Sequence, residues 1–450
     1  MEQEAISLTT SSLLVTLCLG FLLLVLPRRF ALVPMLIAGC YLTLGQALII
    51  GGLHFYLIRI LIVFGMLRIF IRTEIFSITL NCIDGVLIAW LMVSSFLYVL
   101  FTGADVTLTQ RLGGAYNTLG IYLLVRALVR DLDDIIIAVK IFGITIIPLA
   151  VLFAVELTTG KNPFYFIGGV PEFSEIRNGR TRCQGPFLHA ILAGTFGATA
   201  MPLFVGLWVY NNRSRLLATG AILAATLIVI ASSSSGAITA FLTSIVGMIC
   251  WRFRSRMRLI RWGIVVLVVA LGVFMKVPVW FLISRLSDLL GGDGWYRSAL
   301  IDAAIRHFDE WWLIGTRYTA HWMQTGIAID PTTADMVNHF IVQGVNGGLL
   351  ALILFIWLIV ICFKTTGTAA RNEVRYSSLE RFMIWSMGCT VLGHVASFMS
   401  VSYFDQITIF WYMIIAMVAA LVHDKNRGAY ESDPPQAQGV LQPVPVQEAT

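Results

Sequence analysis

Charge is scarce in this sequence: Asp, Glu, Lys and Arg make up 12% of the 450 residues, against 58% hydrophobic. A soluble chain of this length carries about a quarter charged residues, so a purely soluble globular protein is excluded. The seven cysteines (Cys18, Cys40, Cys82, Cys183, Cys250, Cys362 and Cys389) include no CxxC pair, and all but Cys183 lie in or beside apolar runs. A disulfide framework or a thiolate zinc site has no basis there. No GxxxxGK[ST], HExxH or GxGxxG stretch stands in a suitable context, which removes the usual support for ATP-driven pumping and metalloprotease chemistry. No repeat recurs at a fixed period, and no cofactor or metal is implied. The formal charge of +6 is spread over many short loops; it carries topology, with no basic domain for nucleic acid.

What is present is a succession of apolar runs of the length that crosses a bilayer. The chain reads as an all-α, polytopic membrane protein with about 12–13 spans, centred near 10–27, 30–50, 53–71, 83–101, 114–130, 135–155, 187–209, 216–234, 237–251, 262–283, 339–363, 382–402 and 407–423. The transmembrane domain then covers residues 1–423, and residues 424–450, rich in Pro and Gln, read as a disordered cytoplasmic tail. Arg28, Arg29, Arg68, Arg72, Arg126, Arg130, Arg213, Arg215 and the basic residues of 252–261 and 364–381 fall in alternate loops. The positive-inside rule puts those loops in the cytoplasm. Outer loops remain at 157–186, 232–236, 284–338 and 403–406.

Polar residues of interest gather on that outer side. In the first outer loop, Arg177, Arg180 and Arg182 precede Gly185-Pro186, against the charge bias of the other outer loops. Two readings stand: contact with lipid headgroups, or guanidinium forks that hold a phosphate or diphosphate. Small residues Ala190, Gly194 and Gly197 beyond them imply close helix packing. The serines at 232–235 with Gly236 read as a turn, or as hydroxyls lining a polar cavity.

The longest polar interval, 284–338, contains an amphipathic pattern from Trp295 to Trp312. Tyr296, Leu300, Ala303, Ala304, Phe308 and Trp311 form the apolar face, and Ser298, Asp302, Arg306 and Asp309 the polar arc. Such a helix would lie on the membrane surface. Arg297 falls on the shoulder of the apolar face and needs an anionic partner, either a structural carboxylate or a lipid phosphate. At the end of the interval stands Asn338, and His339, Gln343 and Asn346 form a polar stripe at i, i+4, i+7 on an otherwise apolar helix. His339 reads either as an interhelical hydrogen-bonding residue or as a base near neutral pH.

With its many spans, an Arg-Gly-Pro-Phe segment (Arg182, Gly185, Pro186, Phe187), a Ser-rich turn with Gly236, a Trp-Tyr-Arg loop helix and a polar cluster leading into Gly347-Gly348, the chain resembles the O-antigen ligase and polymerase family of bacterial envelope glycosyltransferases. The resemblance covers residues 30 to 420 and rests on short motifs. It implies a multi-pass enzyme of the bacterial cytoplasmic membrane with an outward-facing site. Such an enzyme transfers a glycan from undecaprenyl diphosphate to a hydroxyl of a lipid A core or of another lipid-linked repeat unit, without metal or nucleotide sugar. Membrane lipids and other envelope polysaccharide assembly proteins are the further partners it implies.

Residue by residue, Arg182 matches the family's first-loop arginine, Arg297 its loop-helix arginine and His339 its loop-end histidine. Two departures stand out. The Ser-rich turn lacks the arginine many members carry, so that phosphate ligand is either missing or supplied by Arg180 or Arg285. The order Asn338-His339 reverses the common one, which leans the reading towards repeat-unit polymerisation. The chemistry suits the residue types: arginines Arg182, Arg180 and Arg297 take up charge on a diphosphate leaving group and His339 accepts the acceptor proton. A flippase or exporter of lipid-linked glycan is the alternative, although it needs a pathway to both faces. A structural or sensor role is a third.

Overall fold

The computed structural model of the chain describes residues 6–50, 53–102, 105–289, 294–323 and 332–431, and these are overwhelmingly helical. β1 (Ile6–Ser7) leads into α1 (Thr10–Val25), where the Thr9 hydroxyl caps the first turn by accepting from the Ser12 N–H. α2 (Val33–Tyr41) is short. The span expected over 30–50 does not form a single helix, because β2 (Gln46–Ile50) pairs antiparallel with β3 (Leu53–Tyr56) and parallel with β1. Two β-branched and aromatic runs about a Gly-Gly pair are a hairpin signal, which hydropathy alone absorbs into a span.

Helices then follow in series: α3 (Leu57–Ile71), α4 (Cys82–Thr102), α5 (Asp105–Leu128) and α6 (Leu132–Thr159). A small antiparallel hairpin, β4 (Glu175–Arg177) and β5 (Arg180–Arg182), interrupts the series. Its two-residue turn is Asn178-Gly179 with φ of 52° and 72°, the left-handed pair that a tight hairpin requires. α7 (Ala190–Tyr210), α8 (Arg215–Ala231), α9 (Ser235–Ile249) and α10 (Met257–Phe274) come next. Three shorter helices, α11 (Leu282–Leu289), α12 (Trp295–Arg306) and α13 (Phe308–Trp311), occupy the polar interval before α14 (His339–Ala369), α15 (Ser378–Phe398) and α16 (Ile407–Glu431). α16 thus continues into the stretch read as tail, and residues 432–450 lie outside the described residues.

Six stretches among the described residues are long and apolar enough to cross a membrane: Cys82–Leu100, Leu132–Thr159, Ala190–Tyr210, Asn212–Ala231, Ser235–Phe274 and His339–Ala369. Fewer stretches than expected spans meet this measure, for physical reasons. α1, α2 and α3 are short, α5 carries Arg111 and Asn117, and α9 and α10 join through a 3-10 segment into one stretch. The surface agrees with a lipid environment: Phe21, Phe70, Phe96 and Phe274 are 60% to 85% exposed, and α10 buries no residue.

α7 is the buried axis of the bundle. At Gly197 an added Cβ would lie 2.6 Å from the Ala225 carbonyl of α8, so the small residues are where backbones meet. Phe142 stacks on Phe410 at 5.3 Å and Phe196 meets Phe410 at 4.7 Å, which joins α6, α7 and α16 through one aromatic cluster.

Three arginines of the basic loops are structural. Arg68 makes a bidentate pair with Glu74, both nitrogen-to-oxygen distances 2.9 Å, and donates to the carbonyls of Leu23 and Leu26. Arg126 binds Asp84 at 3.1 Å while the Tyr122 hydroxyl donates to the same carboxylate, and Arg28 binds Asp134 at 2.5 Å.

In the polar interval the amphipathic reading needs one correction. Ser298, placed on the polar arc, is fully buried; its hydroxyl accepts from Ser284 N–H and donates to Trp280 O. The helix packs on a neighbouring segment on that side as well. Gly347 and Gly348 break α14, Gly348 taking φ +66°. The groups freed by the break bind the preceding loop: Thr316 N–H donates to Val345 O at 2.9 Å, and Leu349 N–H to Trp312 O at 2.7 Å. An added Cβ at Gly348 would sit 2.5 Å from the Leu313 carbonyl. The glycines therefore dock the interval onto α14.

Candidate functional site

The serine turn between α8 and α9 is where the separate polar segments meet. Ser233 donates its hydroxyl to the Thr181 carbonyl at 3.0 Å, and the Cys183 N–H donates to Ala231 O at 3.0 Å. These two bonds flank Arg182 and seat β5 on the turn. On the other side, Ser235 Oγ lies 3.0 Å from Ser287 Oγ of α11, and Arg297 Nη1 of α12 donates to Ser235 Oγ at 3.3 Å and Ser287 Oγ at 3.4 Å. Gly236 faces Ser400, whose Cβ would be 2.7 Å from an added Cβ. Arg182 and Arg297, 115 positions apart in sequence, are thus anchored to a single five-residue turn.

Arg182 is buried, with Nη1 donating to Glu175 across the hairpin at 2.7 Å. Its Nε is buried and has no partner among the described residues. Burial draws this guanidinium below the usual arginine value; Glu175 opposes that shift and nearby Arg177 adds to it. Arg180 stands opposite Arg177 at the hairpin's turn and is exposed, as is Arg285 of α11. Arg297 reaches the serine turn through its bond to Ser235.

The loop after Arg182 is fixed from below. Glu156, at the end of α6, accepts from the Ser174 hydroxyl at 2.8 Å and from the N–H groups of Gln184 and Gly185 at 3.0 and 2.9 Å. It is also joined to the turn between α15 and α16: Leu188 N–H donates to Asp405 Oδ2 at 2.8 Å, and Gln406 Nε2 to Pro186 O at 2.7 Å. Two residues before Asp405, Tyr403 N–H donates to His339 Nδ1 at 3.1 Å. A continuous chain of contacts therefore runs from Arg297 through the serine turn and the Arg182 loop to His339.

His339 itself is enclosed by Phe355, Phe398 and Tyr403, with ring centroids 5.3, 4.7 and 5.3 Å away. Nδ1 accepts the Tyr403 N–H, and Nε2 lies 3.2 Å from Gln343 Nε2, so both ring nitrogens are engaged. Asn338 is the helix cap, its side-chain oxygen accepting from Phe340 N–H at 3.0 Å and Ile341 N–H at 3.2 Å. Gln343 is buried and Asn346 half-buried.

Asp405 was not singled out by sequence reasoning. It lines a cavity of about 200 Å³ with Tyr56, Asn117, Leu188 and Thr408, and its Oδ1 is buried with no partner among the described residues. Burial raises its carboxyl to about 7, against the N–H bonds from Leu188 and Gln406. A lone acid in a short turn between apolar runs is the signal that would have found it. Glu175 was hidden by lying within a polar loop, and the Asn178-Gly179 hairpin signal was read as loop.

Comparison with known proteins finds no family model and no curated sequence that matches this chain. The functional reading rests on the site.

Proposed function

We propose that this chain is a membrane glycosyltransferase that moves a glycan from undecaprenyl diphosphate to an acceptor hydroxyl at the outer face of the bacterial cytoplasmic membrane, as an O-antigen or exopolysaccharide polymerase or ligase. The observation that carries the reading is the anchoring of Arg182 and Arg297 to one serine turn. Two arginines from distant segments, one tied to the turn through its neighbouring backbone and one through its side chain, suit a diphosphate. In this reading α1 to α10 and α14 to α16 make up the membrane-crossing part. The site lies where the N-termini of α7, α9, α14 and α16 meet the C-termini of α6, α8 and α15, with the paired arginines of the basic loops at the opposite, cytoplasmic end.

The reaction is a single inverting displacement. The acceptor oxygen attacks the anomeric carbon, the bond from that carbon to the diphosphate oxygen breaks, and undecaprenyl diphosphate leaves. Arg182 and Arg297 take up its growing negative charge. Glu175 holds Arg182 in place until the donor displaces it. For the acceptor proton, Asp405 is better placed than His339: its Oδ1 is unpartnered and it lines a cavity, while both His339 nitrogens are engaged. His339 then positions the 403–406 turn through Tyr403.

The test is transfer by the purified chain in detergent, with a diphosphate-linked oligosaccharide as donor. Arg182→Lys and Arg297→Lys keep the charge and lose the fork, and each is expected to slow transfer about 10²-fold. Full activity in both variants would sink the clamp. The alternative, a flippase or exporter of lipid-linked glycan, predicts no product in detergent.

A further inference from the structure

We propose that His307, Glu310 and His321 form a binding site for a divalent transition-metal ion, zinc by ligand class, on the segment that follows α12. His307 Nδ1 lies 2.7 Å and His321 Nε2 lies 3.0 Å from the same Glu310 Oε1. The three ligand atoms all fall within 4.8 Å of one another. His307 and Glu310 are three residues apart across the break between α12 and α13, and His321 arrives from the 3-10 turn Ala320–Trp322. Two imidazoles from separate turns therefore converge on one carboxylate oxygen.

The surroundings fix these groups. His307 stacks flat on Trp322, at 5.6 Å and 9° between planes, and stands perpendicular to His321 at 5.0 Å. Trp322 Nε1 donates to Glu310 Oε2 at 2.9 Å, which orients the carboxylate and leaves Oε1 to face the histidines. A hydrogen bond of this kind to the far atom of a ligand is typical of metal sites. Trp322 is itself buried in the small core built from Leu300, Trp311 and Val345, so the platform is firm.

Ligand chemistry chooses the ion. Two nitrogens and one carboxylate suit zinc, with a fourth position for water, and suit magnesium or calcium poorly because those take oxygen. A tetrahedral zinc with bonds of about 2.0–2.2 Å separates neighbouring ligand atoms by about 3.3 Å, so binding opens the two contacts to Glu310 Oε1 by about 0.3–0.6 Å. The side chains of His307 and Glu310 are 31% exposed and that of His321 51%, so an ion reaches them from solvent. Bound there, zinc would staple the 3-10 turn to α13. The proposal needs no part of the glycosyl-transfer reading.

The test is calorimetric titration of zinc into the tag-free, full-length chain in detergent after chelator treatment, with cobalt absorption as a spectroscopic check. One saturable equivalent is expected. His321→Ala and Glu310→Gln should each lose it, while His54→Ala keeps it. Without zinc, wild type and His321→Ala should unfold at the same temperature, and zinc should raise the midpoint only of the wild type. Absence of saturable binding, or undiminished binding in both ligand variants, would leave an ordinary hydrogen-bonded cluster and overturn the site.

Discussion

At the scale of single residues, the account turns on which charges are committed and which are free. Arg182 already holds Glu175, half of which remains exposed, so in the proposed reaction the donor exchanges one anion for another. Glu175→Gln weakens that competitor while keeping the side chain's length. It is expected to lower the KM for the lipid diphosphate several-fold with little change in kcat, measured by initial rates across donor concentration.

Asp405 gives a second, independent prediction. A base must be ionised, and with its carboxyl raised to about 7, transfer should fall about tenfold per pH unit below 7 and level off above it. Asp405→Asn should abolish that limb; a wild-type pH profile in the variant would return the role to His339. The stability sign follows from the same shift. Because the folded value lies above the usual carboxyl value near 3.9, this group favours the fold most below about pH 4, and that contribution is lost as pH rises through about 7.

Arg182, Arg297 and His339 stand out in the sequence because each lies against a strongly patterned background. Glu175 does not, since what marks it is a partner across the hairpin, and Asp405 is marked in the sequence only as a lone acid in a short turn between apolar runs.

At the scale of elements, the glycines of α14 do more than permit packing. Gly348 has a left-handed φ and faces the Leu313 carbonyl, while its neighbours exchange hydrogen bonds with the loop. Gly348→Ala adds a Cβ to a strained conformation with no room for it, and should destabilise the protein by about 1–3 kcal/mol. Thermal unfolding in detergent would check this, and an unchanged midpoint would mean that the loop does not depend on the break.

Helices were legible from hydropathy wherever a run was long and uninterrupted, as in α6, α7 and α14. The β2–β3 hairpin was not, because its strands are as apolar as the spans beside them. The Gly347-Gly348 break was not either, since an apolar run gives no sign of where its backbone opens. The burial of Ser298 depends on α11 and the turn before it, which no periodicity within α12 encodes.

At the scale of the whole molecule, the charges divide by function. In the basic loops Arg68, Arg126 and Arg28 are matched to buried acids, a structural use of charge. Glu74→Ala would leave Arg68 buried and unpaired, and such a loss costs about 3–5 kcal/mol; denaturation in detergent should show it without changing the donor KM. Around the serine turn, Arg297 donates to the Ser235 and Ser287 hydroxyls and Arg182 to the exposed Glu175 carboxylate. In the proposed reading a diphosphate displaces these partners.

The most direct test of the account is release of undecaprenyl diphosphate from a lipid-linked oligosaccharide by the purified chain, in detergent and with no membrane potential. The account predicts a lengthened or transferred glycan together with free lipid diphosphate, slowed about 10²-fold in Arg182→Lys and Arg297→Lys. No turnover in detergent, with translocation of the intact lipid-linked glycan in vesicles, would contradict it.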